Sequence, residues 1–408
     1  MRLLRLGDRH ASVADARAAL IALAFLPAAP RQGAAAAAVP APTAPPPGAP
    51  ASPGLPASPG PDEADRFDED LDRAVRAFQQ SRGLSVDGII GPDTFRALDE
   101  ARRRLGDRLL YYRVSHPFVG DDVAVLQQRL SNMGFDVGRT DGIYGHRTEL
   151  AVRDFQRNRE LEPDGRCGPL TLRELDRLAR TVVGGRPDVL RETVRLLQRG
   201  PSLLGLVVAI DPGHGGDDPG VVAGPLVERD IVADIASRLE ARLLASGLEA
   251  YLLHGPHESP DEGERARRAN EIGADLMVSL HVEAGASSAP RGVASYYFGH
   301  ARGSSAVGER LAMLVQKELV SRTDLVDCRS HPKTWELLRM TRMPAVRLDL
   351  GYLTNAHDAA ALSSPDFRAT VAEAILAAVQ RLFLAPEEDA PTGQLRVPTL
   401  ASRSAPPS

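Results

Sequence analysis

The stretch Val207–Gly216, VVAIDPGHGG, decides the fold. A β-branched, apolar run stops at Asp-Pro-Gly and at once presents a histidine, the pattern of a buried strand whose terminal loop carries chemistry. Taken alone, His214 is an ordinary loop histidine. Two later residues change that reading: Glu228 opens the next helical run, and His281 closes a second apolar strand, Asp275–His281 (DLMVSLH). Two imidazoles and one carboxylate at the ends of neighbouring elements make the His₂Glu set of a catalytic zinc site with one position left for water. Glu228 by itself would be a helix N-terminal carboxylate favoured by the dipole, and His281 by itself a core histidine. The presence of all three favours ligation.

Outward from this stretch the chain alternates strands and helices. The strand Leu206–Ile210 is followed by a helix over Glu228–Ser246, with Ile231, Ile235, Leu239 and Leu243 on one face and Gly247 as its stop. LEAYLL, DLMVSLH, GVASYYF and the strand in MPAVRLDLGYLTN follow, separated by helices over Glu264–Ile272 and Ser304–Val320, and Phe367–Leu382 closes the domain. This order predicts an α/β domain, a mixed sheet with helices on both faces, over residues 205–385.

The first half of the chain is repetitive. AVRAFQQSRGLSVDGIIGPDTFRAL (Ala74–Leu98) matches AVRDFQRNRELEPDGRCGPLTLREL (Ala151–Leu175) at an offset of 77, and the helix before it recurs, Val13–Phe25 against Val123–Phe135, at an offset of 110. The first copy therefore carries an insertion of 33 residues, the difference between the offsets, within the Ala/Pro/Gly tract Pro27–Asp65. That tract buries too little to order itself and is expected to be a disordered loop. Each copy predicts a small all-α module of three helices, at 1–105 (insertion about 27–65) and 106–182, joined through Asp-Gly-x-x-Gly-Pro turns. Asp87 and Asp164 read as turn residues and Phe78 and Phe155 as core. A polar linker is expected at 183–204, and the Pro/Ser/Thr-rich tail 386–408 is expected to be disordered. Thr392, Thr399, Ser402 and Ser404 make that tail a candidate for regulation by phosphorylation.

DPGHGG, the Glu opening the following helix, SLH and the late GYLTN resemble the zinc-dependent N-acetylmuramoyl-L-alanine amidases over roughly Gly205–Ala385, and the repeats resemble the peptidoglycan-binding type 1 module, twice. The resemblance implies Zn²⁺ held by His214, Glu228 and His281, and hydrolysis of the amide between N-acetylmuramic acid and L-Ala in peptidoglycan or muropeptides. It also implies a catalytic carboxylate two residues before Gly-Tyr. The family has Glu there, whereas this chain has Asp349, shorter by one C–C bond, about 1.5 Å. Where the family commonly has Asn, the chain has Glu283, which can supply a base, crowd the metal or stand as a solvated loop carboxylate.

The 49 basic and 54 acidic residues leave a net charge of −5, with no sustained basic field for nucleic acid. Cys167 and Cys328 have no metal-ligand spacing and read as structural thiols. Asp8, Asp15 and Arg17 precede the apolar run Ala18–Pro30, whose early residues fit the repeat, so it does not read as an export signal; no run of 18 apolar residues predicts a membrane span. The expected location is the cytoplasm, or else the cell wall by non-standard export. With the departures at Asp349 and Glu283, the chain resembles the CwlM-type branch of actinobacterial amidase homologues. That likeness implies the alternative of a weakly active or inactive cytoplasmic homologue that regulates peptidoglycan precursor synthesis through a synthesis enzyme.

Overall fold

The computed structural model describes residues 3–27, 64–179, 187–198, 203–300 and 303–383. The Ala/Pro/Gly insertion from residue 28 to 63 and the tail from 384, including the candidate phosphorylation sites, lie outside the described residues. The chain divides into two compact units, 1–104 and 105–408.

The first unit is a three-helix module: α1 (Ala11–Ala22), α2 (Glu69–Arg82) and α3 (Pro92–Ala101). Asp68 caps α2 by accepting from the Leu71 N–H, and Gly83 ends it at φ 66°, a conformation that costs a side chain dearly. Phe78 is fully buried among Leu4, Val13, Leu20, Leu71, Val75 and Ile90, so it is core.

The second unit opens with the matching module, α4 (Asp121–Asn132), α5 (His146–Asn158) and α6 (Pro169–Ala179), with Phe155 buried in its core. The two modules share a polar box at the turn. Gln79 Nε2 donates to Asp87 Oδ1, Ile89 O and Thr94 Oγ1, while its Oε1 accepts from the Gly88 N–H. Gln156 repeats this with Asp164, Arg166, Thr171 and Gly165. A third copy at Gln127, Asp141, Ile143, Thr148 and Gly142 lies outside the offset-77 match. At the corresponding place in the first module stands Arg17, which donates to the Arg66 carbonyl and pairs with Asp68 instead. Asp87 and Asp164 are thus turn formers: each Oδ1 also accepts the backbone N–H two residues on.

The stretch expected to be a polar linker holds a helix, α7 (Pro187–Gln198). Leu190, Val194 and Leu197 recur at helical spacing, a signal that the reading of this stretch as a polar linker passed over. Arg191 Nη1 donates to the Phe135 carbonyl, and Glu192 accepts from Ser305 Oγ at 2.6 Å and from the Val307 N–H at 3.2 Å.

Then come β1 (Val207–Pro212), the two-residue strands β2 (Val222–Ala223) and β3 (Leu226–Val227), α8 (Glu228–Ala245), β4 (Glu249–Leu252), α9 (Glu262–Glu271) and β5 (Leu276–Glu283). β6 (Val293–His300), β7 (Gly303–Ser304), α10 (Ala306–Arg322), β8 (Asp327–Lys333), α11 (Glu336–Met340), β9 (Ala345–Tyr352), α12 (Ala356–Ser363) and α13 (Pro365–Phe383) complete the domain. The sheet runs β4-β1-β5-β9-β6, with β8 beside β6 and β7 folded back on it. β4, β1, β5 and β9 are parallel and β6 runs against β9, so the sheet is mixed.

Strand alternation divides the sheet into two unlike faces. Val208, Ile210, Val278, Leu280, Val346 and Leu348 pack with α8, α10 and α13 in the larger core. Ala209, Met277, Ala345 and Phe298 face α9 and the short α11 in a smaller one. This second face is thinly covered, and its polar residues build the site. β8 and α11 were not expected from the sequence: β8 is an edge strand with Pro332 in it and with alternate residues exposed, so it lacks an apolar signature.

Gln156→Ala removes one acceptor and one fully used donor group from a buried turn. The expected result is a second module destabilised by about 2–3 kcal/mol, with the Gly165 amide losing its protection in a hydrogen-exchange measurement.

Candidate metal centre

Glu228 begins α8 and is 1% exposed, a carboxylate that must be fully partnered to be ionised there. Its Oε1 accepts from the Val282 N–H at 2.9 Å and lies 3.2 Å from His281 Nδ1; its Oε2 accepts from the Val221 N–H at 2.9 Å and lies 3.3 Å from His214 Nε2. Burial alone would raise its pKa, but the two imidazoles and two amides hold it far below the usual carboxylate range.

The DPGHGG turn brings His214 to that carboxylate at φ 64°, a left-handed backbone unusual outside glycine. Asp218 Oδ2, 2.7 Å from His214 Nδ1, orients the ring from behind. Burial works to lower the His214 pKa, yet Glu228 and Asp218 raise it overall. His281 is held by β5 next to Asp349 on β9, their residues in register. Burial first, and the nearby Arg347 second, push its pKa down to about 4, so the ring is neutral and keeps a lone pair. One ligand atom from each of His214, Glu228 and His281 falls within 4.8 Å of the others. Glycines make the room. A Cβ on Gly213 would lie 2.3 Å from His281 Cε1, and one on Gly220 would lie 2.5 Å from Glu228 Oε2. Two imidazoles and a carboxylate in such a cradle fit a divalent cation of zinc's preferences.

Behind the loop lies a buried anchor. Asp211, fully buried, accepts from Ser279 Oγ at 2.6 Å and from Arg265 Nη1 at 3.1 and 3.3 Å, with His254 Nε2 3.7 Å away. Desolvation opposes its charge, but His254, Arg265 and Ser279 hold its pKa well below the usual carboxylate range. It fixes the strand end from which His214 departs.

The two carboxylates expected to do proton transfer also meet. The β5–β9 register slips between His281 and Glu283, so plain alternation does not place Glu283. It nevertheless reaches the same cluster as Asp349. Arg347 joins them, with Nε 3.1 Å from Asp349 Oδ1 and one Nη 3.2 Å from Glu283 Oε1. Burial and then Asp349 raise the Glu283 pKa. Sequence reasoning missed Arg347, as it missed Asp211, Arg265 and the aromatic pair Tyr296 and Trp335 beside it. The signal for Arg347 was present: in the strand AVRLDLG the arginine stands two residues before Asp349 and shares its face.

Asp211→Asn leaves Arg265 buried without its partner charge and is expected to cost about 3–5 kcal/mol at pH 7. The native carboxyl has the depressed pKa, so its contribution is complete above the unfolded value of about 3.9 and is lost as pH falls further. Urea unfolding of both proteins should therefore show a gap that shrinks as pH falls below about 4.

Residues 208–381 match the N-acetylmuramoyl-L-alanine amidase family, and residues 54–98 and 119–175 match a putative peptidoglycan-binding domain. The chain is 47% identical over 395 residues to N-acetylmuramoyl-L-alanine amidase CwlM of Mycobacterium tuberculosis, covering 96% of this chain and 92% of that one. It is 30% identical over 194 residues to N-acetylmuramoyl-L-alanine amidase LytC of Bacillus subtilis, covering 48% of this chain and 38% of LytC. Among solved structures it is similar to the catalytic domain of CwlV from Bacillus (Paenibacillus) polymyxa, at 30% identity and a TM-score of 0.40 over 43% of this chain and 96% of that one. With a relative matched nearly end to end, the chain belongs to the N-acetylmuramoyl-L-alanine amidase family of hydrolases, here joined to peptidoglycan-binding modules.

Proposed function

We propose that the protein is a zinc-dependent amidase that hydrolyses the bond between N-acetylmuramic acid and L-Ala of peptidoglycan or its fragments. The observation that carries this reading is the convergence of His214 and His281 on opposite oxygens of Glu228, in a cradle kept open by glycine. A zinc ion held by these three residues would supply Lewis-acid polarisation of the scissile carbonyl. The protein's own residues do the rest. Val221 and Val282 hold Glu228 in place through their amides, and Asp218 holds the His214 ring. Asp349, beside His281 on the next strand, takes the proton of the attacking water, and Glu283 assists its return to the leaving amine.

A second reading places the protein in the cytoplasm as a weakly active homologue that binds muropeptide-like ligands and acts on a precursor-synthesis enzyme. One observation favours it: Asp349 is already engaged by Arg347.

Zinc content and muropeptide cleavage, measured together on purified protein, test the first reading. One zinc per chain and release of free stem peptide are expected. His281→Ala should lose the metal and the thermal stabilisation that zinc gives, since a ligand of the native state adds to folding free energy. Equal zinc in the two proteins would refute the ligand set; stoichiometric zinc without cleavage would favour the second reading.

A further inference from the structure

Arg347 is a cation enclosed by carboxylates. On β9 it lies in register with Ser279 of β5 and Tyr296 of β6, one pleat step from Asp349 and on the same face as His281. Its Nε bonds Asp349 Oδ1 and one Nη bonds Glu283 Oε1, while the other Nη lies 4.0 Å from Glu262 Oε1. The guanidinium stacks on Trp335, 4.6 Å from the ring centroid, and the side chain is only 16% exposed. Swinging it out would leave Asp349, whose side chain is 6% exposed, without its partner and would unstack the ring.

Two consequences follow for the centre beside it. An arginine fork that takes one oxygen from each carboxylate fixes their relative position and occupies lone pairs that a proton would otherwise use. A buried positive charge within reach of His281 also opposes a second positive charge there, because Coulomb repulsion is weakly screened in the interior. We propose that Arg347 is a positioning residue that acts as a brake: it clamps Asp349 to Glu283 and weakens cation binding by His214, Glu228 and His281. The inference rests on the zinc reading above and adds to it the group that sets metal affinity and the freedom of the proton-transfer pair.

Two variants of the full chain separate charge from clamping. Arg347→Met keeps an unbranched side chain against Trp335 but removes the charge and both bonds. Arg347→Lys keeps the charge but cannot fork between two carboxylates. Zinc affinity is read by chelator competition, and kcat and KM for muropeptides at saturating zinc, with circular dichroism confirming the fold. Arg347→Met is expected to bind zinc about tenfold more tightly, and Arg347→Lys within about twofold of wild type. Both should raise kcat by about tenfold with little change in KM. A residue that is merely structural would lower stability and produce no gain in either quantity. Zinc affinity of a folded Arg347→Met protein within about twofold of wild type, or kcat unchanged or lowered in both variants, overturns the inference while leaving the zinc reading intact. Absence of zinc from wild type and both variants alike overturns the zinc reading itself, and this inference with it.

Discussion

The site depends on one buried negative charge. Glu228 stands at the first residue of α8, almost without solvent, and every lone-pair direction available to it is used: two backbone amides from separate segments and two histidine rings. An isolated carboxylate in such a place would cost several kcal/mol and would protonate instead. Each partner is therefore obligatory, and each is delivered by a different element. Val221 comes from the loop before β2, Val282 and His281 from the end of β5, and His214 from the turn after β1. Satisfying one carboxylate thus ties together the loop, the helix start and two central strands, and the resulting cluster has the composition of a metal centre.

The division of the sheet explains why chemistry sits on one side. α8, α10 and α13 cover one face with long apolar helices, and the ion pairs there join Glu318 to Arg322 and Arg381, with Arg322 also reaching Glu373. Among the described residues, the helices over the opposite face are α9 and the five-residue α11. Less apolar cover means that polar residues can occupy strand positions at tolerable cost. A row of them runs across the sheet in register, Asp211, Ser279, Arg347, Tyr296 and His331. His281 and Asp349 form the next step of the pleat towards the loops.

Much of this was legible in the sequence because it rests on local patterns. The apolar strands of the parallel core, the four-residue steps of α8 and the DPGHGG turn each declare themselves within about ten residues. The meeting of His214, Glu228 and His281 was legible through their positions at the ends of such elements. What was not legible depends on pairing between distant strands. The bulge after His281 alters where Glu283 points, and no count along one strand reveals it. The Arg347 fork needs β5 and β9 side by side before its two acceptors exist. β8 escaped notice for a different reason: an edge strand containing proline is recognised by its partner rather than by its own periodicity.

The modules show how one local device acquires different uses from its surroundings. The Gln–Asp–Gly–Thr box satisfies a tight turn internally and so leaves the carbonyls around it free to bond elsewhere. At the first turn of the second module those carbonyls are taken within the same unit: His300 donates to Thr140 O at 3.2 Å, and Arg339 Nε to Asp141 O at 2.8 Å. The approach is a backbone one, since a Cβ on Gly303 would come within 2.5 Å of Thr140 O. Glu192 adds its carboxylate to the start of α10, where Ser305 already caps the helix, so the dipole and two orphan donors favour the same contact. Arg339 belongs to α11, which begins directly after Trp335, the ring on which Arg347 stacks. The turn of a peptidoglycan-binding module and the Arg347 cation beside the candidate metal centre are therefore separated by one short helix. That module thus bonds to part of the sparse cover over the face of the sheet that carries His281 and Asp349.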